Sequence, residues 1–147
     1  RVTYDDAFTA AGGTSTLTDD NIVGGGADGS VTITPTSVPG DTLTATVTDS
    51  DLDTNPAVAE TIVVTAVNDV TGESEAITLT ETGVNTGVFS GTVNTTFGTA
   101  AGTDDDGTFN TQATDTVTVT YIDTLTATGG SVTLIPANAA PVSVMVL

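Results

Sequence analysis

Apolar and polar positions alternate with a period of two along most of the chain. In Asp41-Thr-Leu-Thr-Ala-Thr-Val-Thr48, Leu43, Ala45 and Val47 fall on one side and the threonines on the other. This is the pattern of a strand with one face in a core and one in water. Thr116 to Tyr121 repeats it with Val117, Val119 and Tyr121. Further strands are predicted at Ser30 to Thr34, Thr61 to Val67, Glu75 to Thr80, Gly87 to Val93 and Leu125 to Ala127, each bounded by Gly, Pro, Asn or Asp. Thr18 to Gly29 and Phe97 to Thr108 read as surface loops. The apolar stretch Ser131 to Leu147 is broken by Pro136 and Pro141 and is too short to cross a bilayer, so it also reads as strand. Helical periodicity is absent almost everywhere. Short strands of this kind, rich in threonine and valine, predict an all-β, antiparallel Ig-like β-sandwich.

Composition narrows the chemistry. The 147 residues suffice for one domain with its own core. Against 19 Asp and Glu stands one basic residue, for a net charge of -18. Such a surface repels nucleic acid and anionic lipid and attracts divalent cations. There is no Cys, His or Trp. Disulfides, Cys/His zinc sites, thiol nucleophiles and imidazole bases are excluded, and no carboxylate pair stands out as a glycosidase would require. The expected class is a non-enzyme.

The densest candidate site is Asp49-Ser-Asp-Leu-Asp-Thr-Asn-Pro-Ala-Val-Ala-Glu60. Counting from Asp49, oxygen ligands fall at the first, third, fifth and seventh positions (Asp49, Asp51, Asp53, Asn55), with Glu60 at the twelfth. That is the ligand spacing of a calcium loop, because calcium takes six to eight hard oxygens and alternate residues of a tight loop can turn theirs inward. Thr54 replaces the usual glycine, Pro56 follows and strands flank the loop, so it is not an EF-hand. Asp123 and its counterpart Asp6 are added as candidate calcium ligands. Asp104-Asp-Asp-Gly107 reads as a solvated turn, and Glu81 as an acceptor for the backbone of the Asn85-Thr-Gly87 turn. Asn94-Thr-Thr96 is a glycosylation sequon.

Two internal matches organise the chain. Val2, Thr3, Tyr4, Asp6, Thr9, Ala10, Gly12 and Gly13 recur as Val119, Thr120, Tyr121, Asp123, Thr126, Ala127, Gly129 and Gly130. Gly29-Ser-Val-Thr-Ile-Thr-Pro35 matches Gly130-Ser-Val-Thr-Leu-Ile-Pro136 at five of seven positions. The two offsets differ by an insertion, Thr14 to Gly29. This reading divides the chain into a strand at residues 1–13 resembling the end of a preceding repeat, a sandwich at 14–130, and a strand at 131–147 resembling the start of a following one.

The acidic loop, the element Glu81-Thr-Gly-Val-Asn-Thr-Gly-Val-Phe89 and the closing Asp115-Thr-Val-Thr-Val-Thr-Tyr-Ile-Asp123 resemble the Ig-like repeats of very large bacterial and archaeal cell-surface proteins. The resemblance implies an extracellular sandwich with structural or adhesive duty and no catalysis. The expected function is a subunit of an extracellular filament or surface layer, assembling with copies of itself by β-strand addition and stiffened by calcium. The donated strand is either Ala139 to Leu147, where Val142, Val144 and Val146 alternate, or Val2 to Ala10. The alternative is a calcium-binding adhesion module from a giant tandem-repeat protein.

Overall fold

The alternation becomes strands, seen in a computed structural model that describes residues 1–136 and the backbone of Ala140–Pro141. In chain order these are β1 (Val2–Asp6), β2 (Ser15–Asp19), β3 (Ser30–Ile33), β4 (Thr42–Thr48), β5 (Thr61–Asn68), β6 (Ser74–Glu81), β7 (Val88–Phe97), β8 (Thr108–Thr111), β9 (Thr116–Asp123), β10 (Val132–Leu134) and β11 (Ala140–Pro141). The only helical element among the described residues is one 3-10 turn, Ser50–Leu52. The donor strand expected at Ala139 to Leu147 lies largely outside the described residues.

Strands β10-β9-β5-β6-β7-β4-β3 follow one another by hydrogen bonding, all antiparallel. β3 comes back against β9, so the sheet wraps into a sandwich that is nearly a barrel. β7 makes the turn between layers. It pairs β4 from Thr42↔Asn94 to Thr48↔Val88, but meets β6 only at Thr80↔Ser90 and Glu81↔Phe89. The core is what the alternation selects: Leu43, Ala45 and Val47 from β4, Ile77 and Leu79 from β6, Phe89 and Val93 from β7, and Val117, Val119 and Tyr121 from β9.

Three elements differ from the sequence reading. Leu125–Ala127, read as a strand, is a turn in which Thr126 N–H bonds the Gly130 carbonyl at 2.8 Å and Gly129 N–H bonds the Thr126 carbonyl at 2.8 Å. The paired glycines bend the chain before it can pair. β8 emerges from the end of the Phe97–Thr108 loop and is the one parallel neighbour among the described residues, running beside β7 from Asn94↔Thr108 to Phe97↔Thr111. β2 lies inside the stretch read as an insertion, and pairs β1 from Val2↔Asp19 to Asp6↔Ser15.

The β1–β2 hairpin repeats the β9–β10 corner group for group. Tyr4 faces Leu17 as Tyr121 faces Leu134, and Asp6 faces Ser15 as Asp123 faces Val132. Phe8 N–H bonds Asp6 Oδ1 at 3.0 Å, and Leu125 N–H bonds Asp123 Oδ1 at 2.9 Å. The turns match as well, from Thr9 N–H on the Gly13 carbonyl at 2.8 Å to the positive φ of Gly12 (79°) and Gly129 (82°). The spatial correspondence therefore follows the longer of the two offsets through the turn, to Thr16 on Thr133 and Leu17 on Leu134. Burial separates the twins: Tyr121 is 8% exposed, Tyr4 62%.

Candidate metal centre

The loop from β4 to β5 carries five of the seven predicted ligands, and the fold divides the predicted set. Asp49 caps the 3-10 turn: its Oδ1 accepts Asp51 N–H at 2.9 Å, and the Tyr121 hydroxyl donates to its Oδ2. Asp51 Oδ2 accepts Ala27 N–H at 2.7 Å, and Asp123 Oδ2 accepts Gly29 N–H at 2.9 Å. Asp51 and Asp123 thus anchor the glycine-rich stretch that precedes β3, while Asp49 holds the 3-10 turn and Tyr121. Burial, then the bond to Asp49 and the charges of Asp49, Asp123 and Asp51, push the Tyr121 hydroxyl far above its usual range, so it stays a donor.

Glycine is required where that stretch crosses. A Cβ on Gly26 would overlap the Asp51 carboxylate and the Leu125 carbonyl. Gly26→Ala is expected to lift the 25–29 stretch from the loop while leaving the core intact. Faster amide exchange at Ala27 and Gly29, with a nearly unchanged melt, is the expected signature; continued protection at both amides contradicts it.

Asp53 and Glu60 form a second group, joined by Glu81 from the end of β6. Their carboxylate oxygens lie within 4.8 Å of one another. Glu81 is buried; its Oε1 accepts Thr86 N–H at 2.6 Å and Gly87 N–H at 2.8 Å, and its Oε2 accepts Glu60 N–H at 3.3 Å. The Glu60 carboxylate takes Thr54 N–H at 3.1 Å and the Thr54 hydroxyl. Asp53 Oδ1 is buried and has no hydrogen-bond partner. An oxygen held out of water beside two other carboxylates is a group that could hold a hard divalent cation.

The electrostatics agree. Desolvation first, then the charges of Glu81 and Glu60, raise the Asp53 carboxyl above its usual range. At Glu81 burial alone would do the same, but the N–H groups of Thr86, Gly87 and Glu60 and the Thr86 hydroxyl together hold it below. A raised folded value means that protonating Asp53 favours the folded state. Without cation, that contribution is present below the ordinary value of 3.8 and is lost as pH rises through the raised one. Protons and cation thus relieve the same repulsion. The gap between the melts in calcium and in chelator is expected to narrow from neutral pH toward about pH 4, and an undiminished gap would argue against Asp53 as a ligand.

The other predicted ligands stand elsewhere. Asn55 is exposed, with Oδ1 accepting Ala57 N–H at 3.2 Å as a turn cap. Asp6 belongs to the separate β1–β2 sheet. Glu81 holds the turn after it, as its place in the sequence predicts, but loop spacing alone does not show that it stands beside Asp53 and Glu60. The signal lay in strand phase: Glu73, Glu75, Ile77, Leu79 and Glu81 occupy alternate positions, and all are buried. An acid in phase with a core row points inward. Asn94 is exposed on β7, its side-chain oxygen accepting the Thr42 hydroxyl at 2.9 Å.

No protein-family model matches the chain, and no curated protein matches it in sequence. No helix among the described residues is long and apolar enough to cross a membrane.

Proposed function

We propose that the chain is a structural unit of an extracellular filament or surface layer, joined to copies of itself head to tail by β-strand addition and stiffened by calcium. The observation that carries this reading is the duplicated corner. A two-stranded hairpin is barely stable alone, and β1–β2 keeps the residues, register and turn of a corner whose twin is part of the sandwich. Its Val2, Tyr4 and Leu17 are left bare. Apolar groups that are core in one setting and exposed in another mark a surface made to be covered.

A place for strand addition supports the reading. The β5–β9 ladder stops at Thr65↔Thr120, and beyond it the two strands part around a cleft of about 260 Å³ lined by Val63, Val64, Tyr121 and Ile122. Val63 and Ile122 are exposed. Exposed apolar residues beside unpaired strand edges invite a further strand. The charge of -18 would drive copies apart, so cations bound to carboxylates make close association feasible.

Electron microscopy of the purified chain, with and without residues 1–20, tests the assignment. The full chain is expected to form fibres and the truncated one to stay monomeric with an unchanged melt, because no core residue comes from the hairpin. Fibres from the truncated chain would move the joint to Ala139–Leu147. A monomeric full chain would leave the other reading, a cation-stiffened adhesion module.

A further inference from the structure

The core-facing row that ends at Glu81 begins with two more acids. Glu73 and Glu75 are each 1% exposed. At about 3.3 Å per residue they sit on the order of 20 Å from Glu81, at the opposite end of the sandwich. The loop between β7 and β8 covers them and brings three aspartates. Asp104 Oδ1 accepts Ser74 N–H and Asp105 Oδ1 accepts Ala76 N–H, both at 2.9 Å, so the loop is clamped along β6 rather than standing free in solvent. Asp106 Oδ1 accepts Thr108 N–H at 3.0 Å.

The two buried glutamates are not equally satisfied. Both oxygens of Glu73 take Asn110 N–H, at 3.0 and 3.2 Å. Glu75 Oε2 accepts Gly107 N–H at 2.8 Å, next to Asp106, while its Oε1 is buried with no partner at all. A carboxylate withdrawn from water with one oxygen unmet is costly, and neighbouring acids add to the cost. No basic side chain relieves it: the only one, Arg1, pairs with Asp20 at 2.7 Å.

We propose that Glu75 Oε1 and the Asp106 carboxylate are ligands of a second divalent-cation site of the calcium type. Both supply hard oxygen, and because calcium takes six to eight such ligands, carbonyl oxygens and water make up the remainder. A cation there ties the loop spanning residues 98–107 to β6 at the end of the sandwich opposite the Asp53 centre. The inference stands on its own observation and does not depend on how copies assemble.

A proton on Glu75 is the competing answer to the same burial, and glutamine separates the two, being neutral and of the same shape. The test is a calcium titration of the full chain by calorimetry, in about 0.15 M salt to screen weak surface binding. Glu75→Gln is expected to bind one ion fewer than the unaltered chain, and Asp106→Asn to bind that ion at least tenfold more weakly. In an Asp53→Asn background, the ion that remains is expected to vanish when Glu75→Gln is added. Should Glu75→Gln fail to fold by circular dichroism, the exposed Asp106 provides the same reading. Unchanged stoichiometry and affinity in the Glu75 and Asp106 variants overturns the proposal, whatever Asp53→Asn does to the first centre.

Discussion

Phe89→Ala is expected to lower stability by about 3–5 kcal/mol, the usual cost of emptying a large aromatic site in a packed core. For a chain of this size that is a fall on the order of 10 °C in melting temperature. The site is sensitive because Phe89 is fully buried at the crossing of the two layers, opposite Val47 on one side and Glu81 on the other. With no tryptophan in the chain, Phe89 and Phe109 are the largest fully buried side chains. The same replacement at Phe8 (85% exposed) or Phe97 (70% exposed) is expected to leave the melt within about 1 °C. Thermal denaturation of the three variants decides the matter; a loss at Phe89 no larger than at Phe97 would mean that the layers do not close around it.

On the proposed reading, calcium at a hundredfold excess over its dissociation constant adds about 2.7 kcal/mol per ion, because it binds the folded chain and not the unfolded one. Chelation is then expected to drop the melt by several degrees, and magnesium to restore it poorly, since magnesium demands tighter octahedral geometry and gives up its water reluctantly. Asp53→Asn is expected to remove most of the response from its own centre without harming the fold, because Asp53 Oδ1 holds no hydrogen bond that asparagine would break. Identical melts in calcium and chelator would sink the metal assignment.

Strands were legible wherever burial alternates. β4 and β9 were read with their inward residues correct, since a period of two with one apolar face leaves one register in which the core is dry. β2 and β8 were not, because neither contains an alternating apolar row long enough to read: Ser-Thr-Leu-Thr-Asp and Thr-Phe-Asn-Thr each carry one large apolar side chain. Pairing with β1 and β7 makes them strands. Of the loop acids, Asp53 and Glu60 come together with Glu81 while Asp49 and Asp51 stand apart from that group, because spacing along a loop does not say which way each carboxylate turns. Asp49 and Asp51 turn to backbone N–H groups, and Glu81 arrives from a strand twenty-one positions after Glu60.

The sequence by itself determined the all-β class, the inward face of most strands, the absence of thiol and imidazole chemistry, and the duplicated ends. These follow from local periodicity and residue type, which need no partner to be read. Only the tertiary structure decided which acids meet, that the glutamates at the two ends of the β6 row serve opposite ends of the sandwich, and that one twin corner is buried and the other bare. The physical reason is the same in each case: charge clustering and burial depend on distances between residues far apart in the chain, and those distances exist only once the sheet has closed.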